Sequence, residues 1–460
     1  MPSSKNILLI NPWIYDFTAY DFWLRPLGLL YIASLLQKYT RFRLDLIDCL
    51  GRGHPALEKN MKTKLDGRGP FIKEEVPKPS VLKKIPRKYS RYGIPIELFL
   101  HQLEEVPSPD LVLLTCTMTY WYPGVQLAVE LIRRKFGQVP MVLGGIYATL
   151  LPEHARSFSG ADVIFQGMGE KGVIPLVREI LGDGYSADIQ VETLDEIPWP
   201  AFDLMPGQDV LPLLTSRGCP FQCSFCASPL LYKKFEQRPP LSVVSEIEYH
   251  YHRYRNRNFA FYDDALLLKK KSHIVPLLKG VIQRDLPVFF HTPNGLHIRE
   301  IDSELASLFM KANVQSLFLS QESTDSEVLE KAGSKVSEGD LERAIVHLER
   351  AGYRRQEINV YLMAGLPGQT YSSIKESVFH VQRLDAVPRL AYFSPVPGTR
   401  EWKDLVKAGC IAPDADPLLH NKLAFMFLKG DISPQDLKQL KDLIDKKKDR
   451  LLSPKKSCPL

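Results

Sequence analysis

The stretch Thr215-Ser-Arg-Gly-Cys-Pro-Phe-Gln-Cys-Ser-Phe-Cys226 decides the fold of this chain. It places Cys219, Cys223 and Cys226 within eight residues, although all 460 residues contain only seven cysteines. Three thiols on one loop can bind three irons of a [4Fe–4S] cluster, and most such clusters have four cysteine ligands. The next cysteine along the chain is Cys410, so no fourth thiol lies close in sequence. Because open coordination is typical of catalytic metal sites, the spacing predicts a catalytic iron–sulfur cluster.

The cysteine stretch follows the first of six apolar strands that alternate with helices. The predicted strands are Leu211–Leu214, Phe259–Tyr262, Val288–His291, Ser316–Leu319, Ile358–Met363 and Leu390–Phe393. The predicted helices are Leu241–Tyr254, Ser303–Ala312, Glu338–Ala351 and Tyr371–Leu384. Such a series predicts a partial (β/α)6 barrel over residues 210–402, whose chemistry lies on the loops after the strands.

The first 190 residues show the same alternation with shorter spacing. Strands are predicted at Ile7–Ile10, Leu44–Ile47, Leu111–Leu114, Val139–Leu143 and Val163–Phe165, and helices at Pro26–Gln37 and Gly124–Phe136. This pattern predicts an α/β fold with an open, parallel, doubly wound (Rossmann-like) sheet. A proline-rich linker is predicted over residues 191–209, with Pro198, Pro200 and Pro206.

Two segments depart from the alternation. Residues 51–100 hold 12 Lys/Arg and 5 Asp/Glu, a net of +7 against +6 for the whole chain. Pro70, Pro77, Pro79 and Pro86 favour an extended path there, and no nucleic-acid motif accompanies the charge, so we expect a solvated basic insertion rather than a nucleic-acid site. Residues 403–460 read as a short C-terminal helical extension that ends in a frayed tail around Pro454.

Composition sets the broad class of protein. With 45% hydrophobic and 24% charged residues, the chain is typical of a globular protein. No stretch approaches the roughly 20 apolar residues that cross a bilayer. The run Asn6–Ile10 is too short for a signal peptide, so we expect a cytoplasmic protein with reduced or cluster-bound cysteines.

The cysteine spacing C-x3-C-x2-C, with Phe225 before the last cysteine, resembles the signature of radical S-adenosylmethionine (SAM) enzymes. A zinc site is the alternative, but the second C-x2-C pair that it usually needs is missing. The resemblance implies that the open iron binds the amino and carboxylate groups of SAM. An electron from an external flavodoxin- or ferredoxin-type donor would then cleave SAM to a 5′-deoxyadenosyl radical.

Further phrases over residues 208–402 resemble SAM-binding features of the same enzymes. Carboxylates after the second strand would accept hydrogen bonds from the SAM ammonium. A Glu-Ser pair after the fourth strand resembles the pair that contacts the ribose and amino-acid parts of SAM in these enzymes. A glycine-rich turn after the fifth strand resembles the turn that lies beneath the adenine of SAM. His291 and Asn294 are expected to point into the same cavity. The SAM-site candidates are Phe225, Asp263, Asp264, Asn294, Glu322, Ser323, Gly365 and Pro367.

The N-terminal part resembles the cobalamin (B12)-binding domain that precedes the radical SAM barrel in one large subclass. Small residues at strand ends would let the corrin lie against the backbone. One departure concerns the lower axial ligand, because residues 11–25 contain no histidine; Tyr120 could cover the lower face or replace that ligand. The implied cobalamin contacts are Asn11, Pro12, Thr115, Thr117, Tyr120, Gly144, Gly145, Gly167 and Glu170.

The leading hypothesis is a cobalamin-dependent radical SAM enzyme that methylates an unactivated carbon of a small-molecule or peptide substrate. In the resembling enzymes methylcobalamin delivers the methyl group to a substrate radical. A second hypothesis keeps the radical chemistry for cyclisation, oxidation or rearrangement. A third is a non-catalytic iron–sulfur sensor or electron carrier. The methylthiotransferase subclass is disfavoured, because Cys49 and Cys116 are too few for its extra cluster.

Overall fold

The computed structural model describes residues 5–60, 62–182, 191–205, 207, 209–333, 335–429 and 431–452. Pro206 of the predicted linker and the predicted frayed tail around Pro454 lie outside the described residues. The predicted α/β fold class is confirmed, with parallel sheets in both halves of the chain. No helix in the described part of the chain is long and apolar enough to cross a membrane.

A five-stranded parallel sheet forms the N-terminal part, with strand order β3-β1-β6-β7-β8. The strands of this part are β1 (Asn6–Asn11), β2 (Ile14–Asp16), β3 (Arg43–Asp48), β4 (Lys73–Glu75), β5 (Ser90–Tyr92), β6 (Leu111–Thr115), β7 (Met141–Gly144) and β8 (Val163–Ile164). The helices are α1 (Leu27–Tyr39), α2 (Ile96–Glu105), α3 (Tyr122–Phe136), α4 (Gly145–Leu150), α5 (Pro152–Phe158) and α6 (Gly169–Leu181).

The central strand β1 shows why this sheet is doubly wound. Its side chains alternate between two faces, as the two-residue period of a strand requires. Ile7 and Leu9 pack in one apolar core with helices α1 and α6. Leu8 and Ile10 pack in the other core, with helices α2 and α3. All four side chains are buried, so the run of apolar residues predicts a strand covered on both faces.

The basic insertion is structured, which corrects the expectation of a solvated, extended path. Strands β4 and β5 join β2 in a three-stranded antiparallel sheet. Leu82, Ile85 and Tyr89 are buried in the core beneath it. Arg52 forms a buried ion pair with Asp21 at 3.0 Å. Prolines and charges dominate the composition of the segment, but its few apolar side chains are enough to dock it.

The second series of strands forms the predicted barrel in two four-stranded parallel pieces, β15-β13-β12-β9 and β14-β16-β17-β18. Its main strands are β9 (Leu211–Leu213), β12 (Asn258–Phe261), β13 (Phe289–His291), β15 (Val314–Ser316), β16 (Phe318–Glu322), β17 (Asn359–Ala364) and β18 (Val387–Tyr392). Short strands are β10 (Ser216–Arg217), β11 (Glu236–Gln237) and β14 (Leu296–His297).

The predicted fourth strand is two strands, which corrects the single strand expected at Ser316–Leu319. Strand β15 pairs with β13, whereas β16 pairs with β17. The chain passes from one piece to the other at Leu317, which is buried in the core. The alternation of apolar residues alone could not show this break, because the apolar residues Leu317, Phe318 and Leu319 follow Ser316 without a turn residue.

Helices cover the outside of the barrel and continue into the C-terminal extension. They are α7 (Ser228–Leu231), α8 (Pro240–Tyr254), α9 (Ile274–Gln283), α10 (Ser303–Lys311), α11 (Ser326–Lys331), α12 (Asp340–Arg350), α13 (Tyr371–Arg383), α14 (Arg400–Lys407), α15 (Lys422–Lys429) and α16 (Pro434–Leu452). The extension docks on the N-terminal part, where Asn421 Nδ2 donates to Asp16 Oδ1 at 2.9 Å. Leu423 and Met426 join the core of that part.

The predicted linker is packed rather than free. Leu194, Ile197 and Phe202 are buried in one core that contains both α1 of the N-terminal part and α8 of the barrel. The proline-rich composition therefore restricts the backbone of the linker, and the apolar side chains of the linker pack into the core.

An aromatic side chain from the N-terminal part enters the barrel. Trp23 is fully buried among Val210, Ala260 and Phe318. Its ring stacks on His291 with centroids 4.6 Å apart, and its Nε1 donates to the carbonyl of Asp66 at 2.6 Å. The two halves of the chain are therefore joined by interior packing.

His291 is buried and does not line the cavity described in the next subsection, which corrects the expectation for it. Its Nδ1 lies 2.9 Å from Ser316 Oγ and its Nε2 lies 3.1 Å from Asn258 Oδ1. Burial lowers the pKa of His291 to about 4, so the ring is neutral beneath Trp23. Its position at a strand end could not distinguish a ligand contact from a satisfied interior histidine.

We expect Trp23→Ala to lower the free energy of unfolding by about 3–5 kcal/mol, because it removes a buried indole and leaves a cavity. The change is measured by urea unfolding of the cofactor-free protein. Phe158→Ala is the matched control, since Phe158 is 55% exposed and should change the free energy by about 0.5 kcal/mol or less. Equal losses in the two variants would contradict the proposed interior role of Trp23.

Candidate active site

The cysteine loop lies between β10 and α7, beyond the carboxyl end of β9. All three cysteines are half-buried, and Cys226 N donates to the carbonyl of Cys223 at 3.2 Å. Burial raises the pKa of Cys219 to about 11 and also raises the pKa of Cys223 and of Cys226. Because a metal binds the thiolate, loading this loop with iron must release protons.

Asp263 fixes the start of the loop. Its Oδ1 accepts hydrogen bonds from the hydroxyls of Thr215 and Ser216, both at 2.6 Å. His273 Nε2 lies 2.8 Å from the same Thr215 hydroxyl. Asp263 is buried, and burial raises its pKa to about 6. Its carboxylate is therefore occupied in positioning the two residues that lead into Cys219.

Ser224 fixes the middle of the loop between α11 and α14. Its hydroxyl donates to Glu401 Oε2 at 2.8 Å, and Glu401 N donates back to the carbonyl of Ser224 at 2.9 Å. Ser224 N donates to the carbonyl of Lys331 at 2.8 Å, and Lys331 Nζ lies 3.6 Å from Glu401 Oε1. These contacts hold the loop from outside the barrel.

Asp264 closes the end of the loop but differs from its neighbour Asp263. Its Oδ2 accepts from the Ser228 hydroxyl at 2.6 Å. Ser228 N in turn donates to Cys226 Sγ at 3.4 Å. Asp264 is exposed, so one carboxylate of the adjacent pair is accessible beside the cysteines while the other is buried.

Glu322 lies at the end of β16, where it pairs with Lys335 at 2.9 Å. Glu322 has a φ of +65°, an uncommon value for a residue with a side chain and one that concentrates at functional sites. Burial lowers the pKa of Lys335, but the negative charge of Glu322 and of the Cys223 and Cys219 thiolates outweighs it, so the pKa is raised overall. No sequence motif points to Lys335, because only the fold brings it to the loop.

The remaining SAM-site candidates of the barrel loops are buried or half-buried. Ser323 is fully buried and accepts from Asp325 N at 3.0 Å, so it stabilises the turn after β16. Phe225 packs on the apolar cluster that contains Leu366, next to Gly365. The carbonyl of Pro367 accepts from Lys331 Nζ at 2.9 Å. The cysteine loop and the glycine-rich turn are therefore in contact.

A cavity of about 470 Å³ lies between the sheet of the N-terminal part and the barrel. The barrel side of its wall includes Leu214, Arg217, Tyr262 and Asn294. Asn294 Nδ2 donates to the carbonyls of Tyr262 at 3.0 Å and Asp263 at 3.1 Å. The N-terminal side includes six of the predicted cobalamin residues: Thr115, Thr117, Gly144, Gly145, Gly167 and Glu170.

Glycines make the N-terminal wall of this cavity flat. A Cβ added at Gly28, Gly144 or Gly167 would meet nothing within 4 Å and would enter open space. Gly145 has a φ of +89°, and a Cβ there would lie 2.8 Å from Thr115 Oγ1. Such a wall lets a large planar ligand approach the backbone. The cavity therefore fits the tetrapyrrole that the resemblance implies.

Three predicted cobalamin residues lie outside this wall. Asn11 Nδ2 donates to Asp48 Oδ1 at 2.6 Å, which ties β1 to β3, and Pro12 is buried beside it. Tyr120 is buried, and burial raises its pKa well above the ordinary value. Tyr120 does not line the cavity, and the residues that do line it include no histidine.

Arg217 joins the two cofactor regions. Its Nη2 donates to Glu170 Oε1 at 2.7 Å, and both side chains are at least nine-tenths buried. The guanidinium lies 5.6 Å from the ring centroid of Tyr232. Arg217 comes two residues before Cys219, so the ion pair connects the cysteine loop to the helix α6 of the N-terminal part.

Comparison with known proteins points to the same part of the chain as the geometry of the site. The family model of the Radical SAM superfamily matches residues 213–381, the part of the chain that carries the cysteine loop, both aspartates, Glu322 and Gly365. This part of the chain is therefore a radical SAM domain, and the protein is an enzyme. Its N-terminal sheet and barrel together have the fold of the subclass with a B12-binding-type domain.

Two relatives and one solved structure support that placement. An uncharacterised methyltransferase of Pyrococcus horikoshii is 25% identical over 323 residues, 64% of this chain and 69% of that protein. Cytidylyl-2-hydroxyethylphosphonate methyltransferase of Streptomyces wedmorensis is 21% identical over 477 residues, 89% of this chain and 83% of that protein. The radical SAM methyltransferase TsrM of Kitasatospora setae matches with a TM-score of 0.66 and 18% identity, covering 98% of this chain and 89% of that one. TsrM has also been solved with cobalamin and a [4Fe–4S] cluster bound.

We expect Asp263→Ala to weaken retention of the iron–sulfur cluster, because the Thr215 and Ser216 hydroxyls lose their buried acceptor. A loss of about 1–3 kcal/mol corresponds to roughly 5- to 150-fold faster release of iron to a chelator. Asp302→Ala is the matched control, since Asp302 caps α10 through Leu305 N at 2.9 Å. If both variants release iron at the wild-type rate, Asp263 does not position the loop.

Proposed function

We propose that this protein is a cobalamin-dependent radical SAM methyltransferase in which residues 1–190 bind cobalamin and residues 210–402 bind SAM. One observation carries the proposal: the glycine wall of the N-terminal sheet and the residues flanking the cysteine loop enclose the same cavity. Two cofactors bound to these two walls would therefore lie side by side. Cys219, Cys223 and Cys226 would hold the [4Fe–4S] cluster.

The polar groups beside the cysteines suit the ends of SAM. Asp264 is the accessible carboxylate and would accept from the ammonium. Lys335 would donate to the SAM carboxylate, with Glu322 holding its side chain at 2.9 Å. The turn at Gly365 and Pro367, covered by Phe225, would take the adenine. Asp263 and Ser323 would act as positioning residues.

The cavity wall suits cobalamin held by shape and hydrogen bonds. Gly144, Gly145 and Gly167 would carry the corrin or its nucleotide tail, and Thr115 and Thr117 would offer hydroxyls to its amides. Asn11, Pro12 and Tyr120 would support the wall from behind. Cobalamin, when bound, supplies a transferable methyl group, and SAM at the cluster supplies a carbon radical.

The substrate would be a small molecule or peptide whose unactivated carbon reaches this cavity. The wall is mainly apolar, and its charged side chains are held in ion pairs, Arg25 with Asp21 at 3.1 Å and Arg217 with Glu170 at 2.7 Å. We propose the cytoplasm as the compartment and a flavodoxin or ferredoxin as the electron source.

Asp264→Ala should weaken SAM binding roughly 10- to 100-fold, because a charge-assisted hydrogen bond contributes about 1.5–3 kcal/mol. Iron content should stay at the wild-type level, since the Thr215 and Ser216 anchors remain. SAM binding is followed by the change that it causes in the electron paramagnetic resonance spectrum of the reduced cluster. Unchanged SAM affinity, or loss of iron, would reject the assigned role; Asp302→Ala is again the control.

Cofactor content tests the function itself. Protein purified without oxygen, after expression with cobalamin, should contain about four irons per chain and near-stoichiometric cobalt. Gly28→Phe should fill the open space at the wall and lower cobalt at least tenfold while iron is kept. Gly28→Ala is the control that should keep both.

The opposite outcomes of this measurement identify the other functions. Iron without cobalt in the wild-type protein would reject methyl transfer and favour cyclisation, oxidation or rearrangement. A bound cluster that never cleaves SAM would reject the enzyme and favour an iron–sulfur sensor or electron carrier.

A further inference from the structure

His297, at the end of β14, points into the interior of the barrel. Its neighbour in the strand, Leu296, packs in the core that contains helices α10 and α12. Because successive side chains of a strand point to opposite faces, His297 points away from those helices and into the barrel. Its register partner in the parallel sheet is Ser320 of β16, whose neighbour Leu319 lies in the same outer core. Both strands therefore direct a polar side chain inward at the same level.

The imidazole of His297 is buried without a partner in the protein. The residue is 6% exposed, and neither ring nitrogen hydrogen-bonds to a residue in the described part of the chain. Unlike the sealed nitrogens of His250, those of His297 retain access to open space. The buried ring of His291, by contrast, lies 2.9 Å and 3.1 Å from polar side chains. A buried polar group without a partner costs free energy, so a ligand that supplies the missing partner is favoured beside His297.

The cysteine loop lies next to this imidazole. The ring of Phe221, between the first two cysteines, lies against the ring of His297 with centroids 4.7 Å apart. Glu322, which pairs with Lys335, follows Ser320 by two residues, roughly 7 Å along the strand. Neither His297 nor Ser320 belongs to the cavity wall. The missing partner of His297 is therefore a ligand on the cluster side of the site.

The imidazole offers a neutral donor beside a cation. Burial and, to a smaller extent, the positive charge of Lys335 lower the pKa of His297 to about 4, so the ring carries no charge at neutral pH. A neutral imidazole has one N–H, which donates, and one bare nitrogen, which accepts. Lys335 has three N–H donors, so it can bind an anion while it pairs with Glu322. An anionic oxygen that reaches both residues would meet a charged donor and a neutral one.

We infer that His297 is a SAM-binding residue, whose ring N–H donates to the carboxylate of SAM beside Lys335. This role rests on the proposed radical SAM function and extends the site to a residue outside the candidates that the sequence predicts. The ammonium of a lysine is a point charge on a flexible stem, so it attracts a carboxylate without fixing its direction. The buried ring of His297 is held against Phe221 and supplies that direction.

Two substitutions separate a hydrogen bond to SAM from a packing role. His297→Phe keeps a ring against Phe221 but removes the N–H, whereas His297→Gln loses the ring and keeps an N–H donor. In the cluster-loaded protein, the Kd for SAM should rise about tenfold or more in the Phe variant and stay within about threefold in the Gln variant. The Kd is measured from the change that SAM causes in the electron paramagnetic resonance spectrum of the reduced cluster.

A SAM analogue and a second buried histidine complete the test. Decarboxylated SAM, measured by competition with SAM, lacks the carboxylate, so its Kd should be the same in the wild-type protein and in His297→Phe. His291→Phe is the matched control, since His291 is also buried in the barrel and stacks on the ring of Trp23. The Kd for SAM should be unchanged in this control.

Four outcomes would overturn the role of His297: wild-type affinity in the Phe variant, an equal loss in the Phe and Gln variants, an equal loss for SAM and decarboxylated SAM, or an equal loss in the His291→Phe control. The first two would exclude the hydrogen bond, the third would exclude the carboxylate as its acceptor, and the fourth would assign the effect to packing of the barrel. Absence of any spectral change with SAM in the cluster-loaded wild-type protein would instead refute the proposed function on which this role depends.

Discussion

The hydrogen bonds from Thr215 and Ser216 to the buried carboxylate of Asp263 are the constraint on which the site depends. They fix the backbone where β9 gives way to the cysteine loop. The next residue, Arg217, reaches Glu170 in the other half of the chain, and Cys219 follows two residues later. Five consecutive residues thus set the position of the cluster ligands and of the cavity wall together.

Packing and ion pairs play different parts in joining the two halves. Burial of Trp23 between Phe318 and His291 removes a large apolar surface from water and stabilises the fold directly. The buried Arg217–Glu170 pair loses hydration that its mutual attraction only partly restores. We therefore infer that the aromatic contact stabilises the fold, whereas the ion pair sets the orientation of the two halves of the chain relative to each other. The ion pair lies at the cavity, where this orientation matters most.

The sequence predicted the elements with regular periodicity and missed what long-range contacts decide. Strand β1 and the barrel strands were found because apolar runs reveal buried strands. The break at Leu317 was missed because no turn residue marks it and apolar residues continue through it into β16. Asp263 and Asp264 were given one role, yet adjacent residues leaving a strand face opposite ways, so one anchors the loop and one is accessible. Lys335 carries no motif and reaches the cysteines only through the fold.

The proposed cofactor sites divide the surroundings of the cysteine loop by chemistry. Glycines and apolar side chains line the cavity on one side, where a radical must be kept from water. Polar groups lie beside the cysteines, where Asp264 is exposed and Lys335 pairs with Glu322 at 2.9 Å. The ends of SAM would then bind where charged groups lie beside the cysteines, and the substrate would enter where charge is paired.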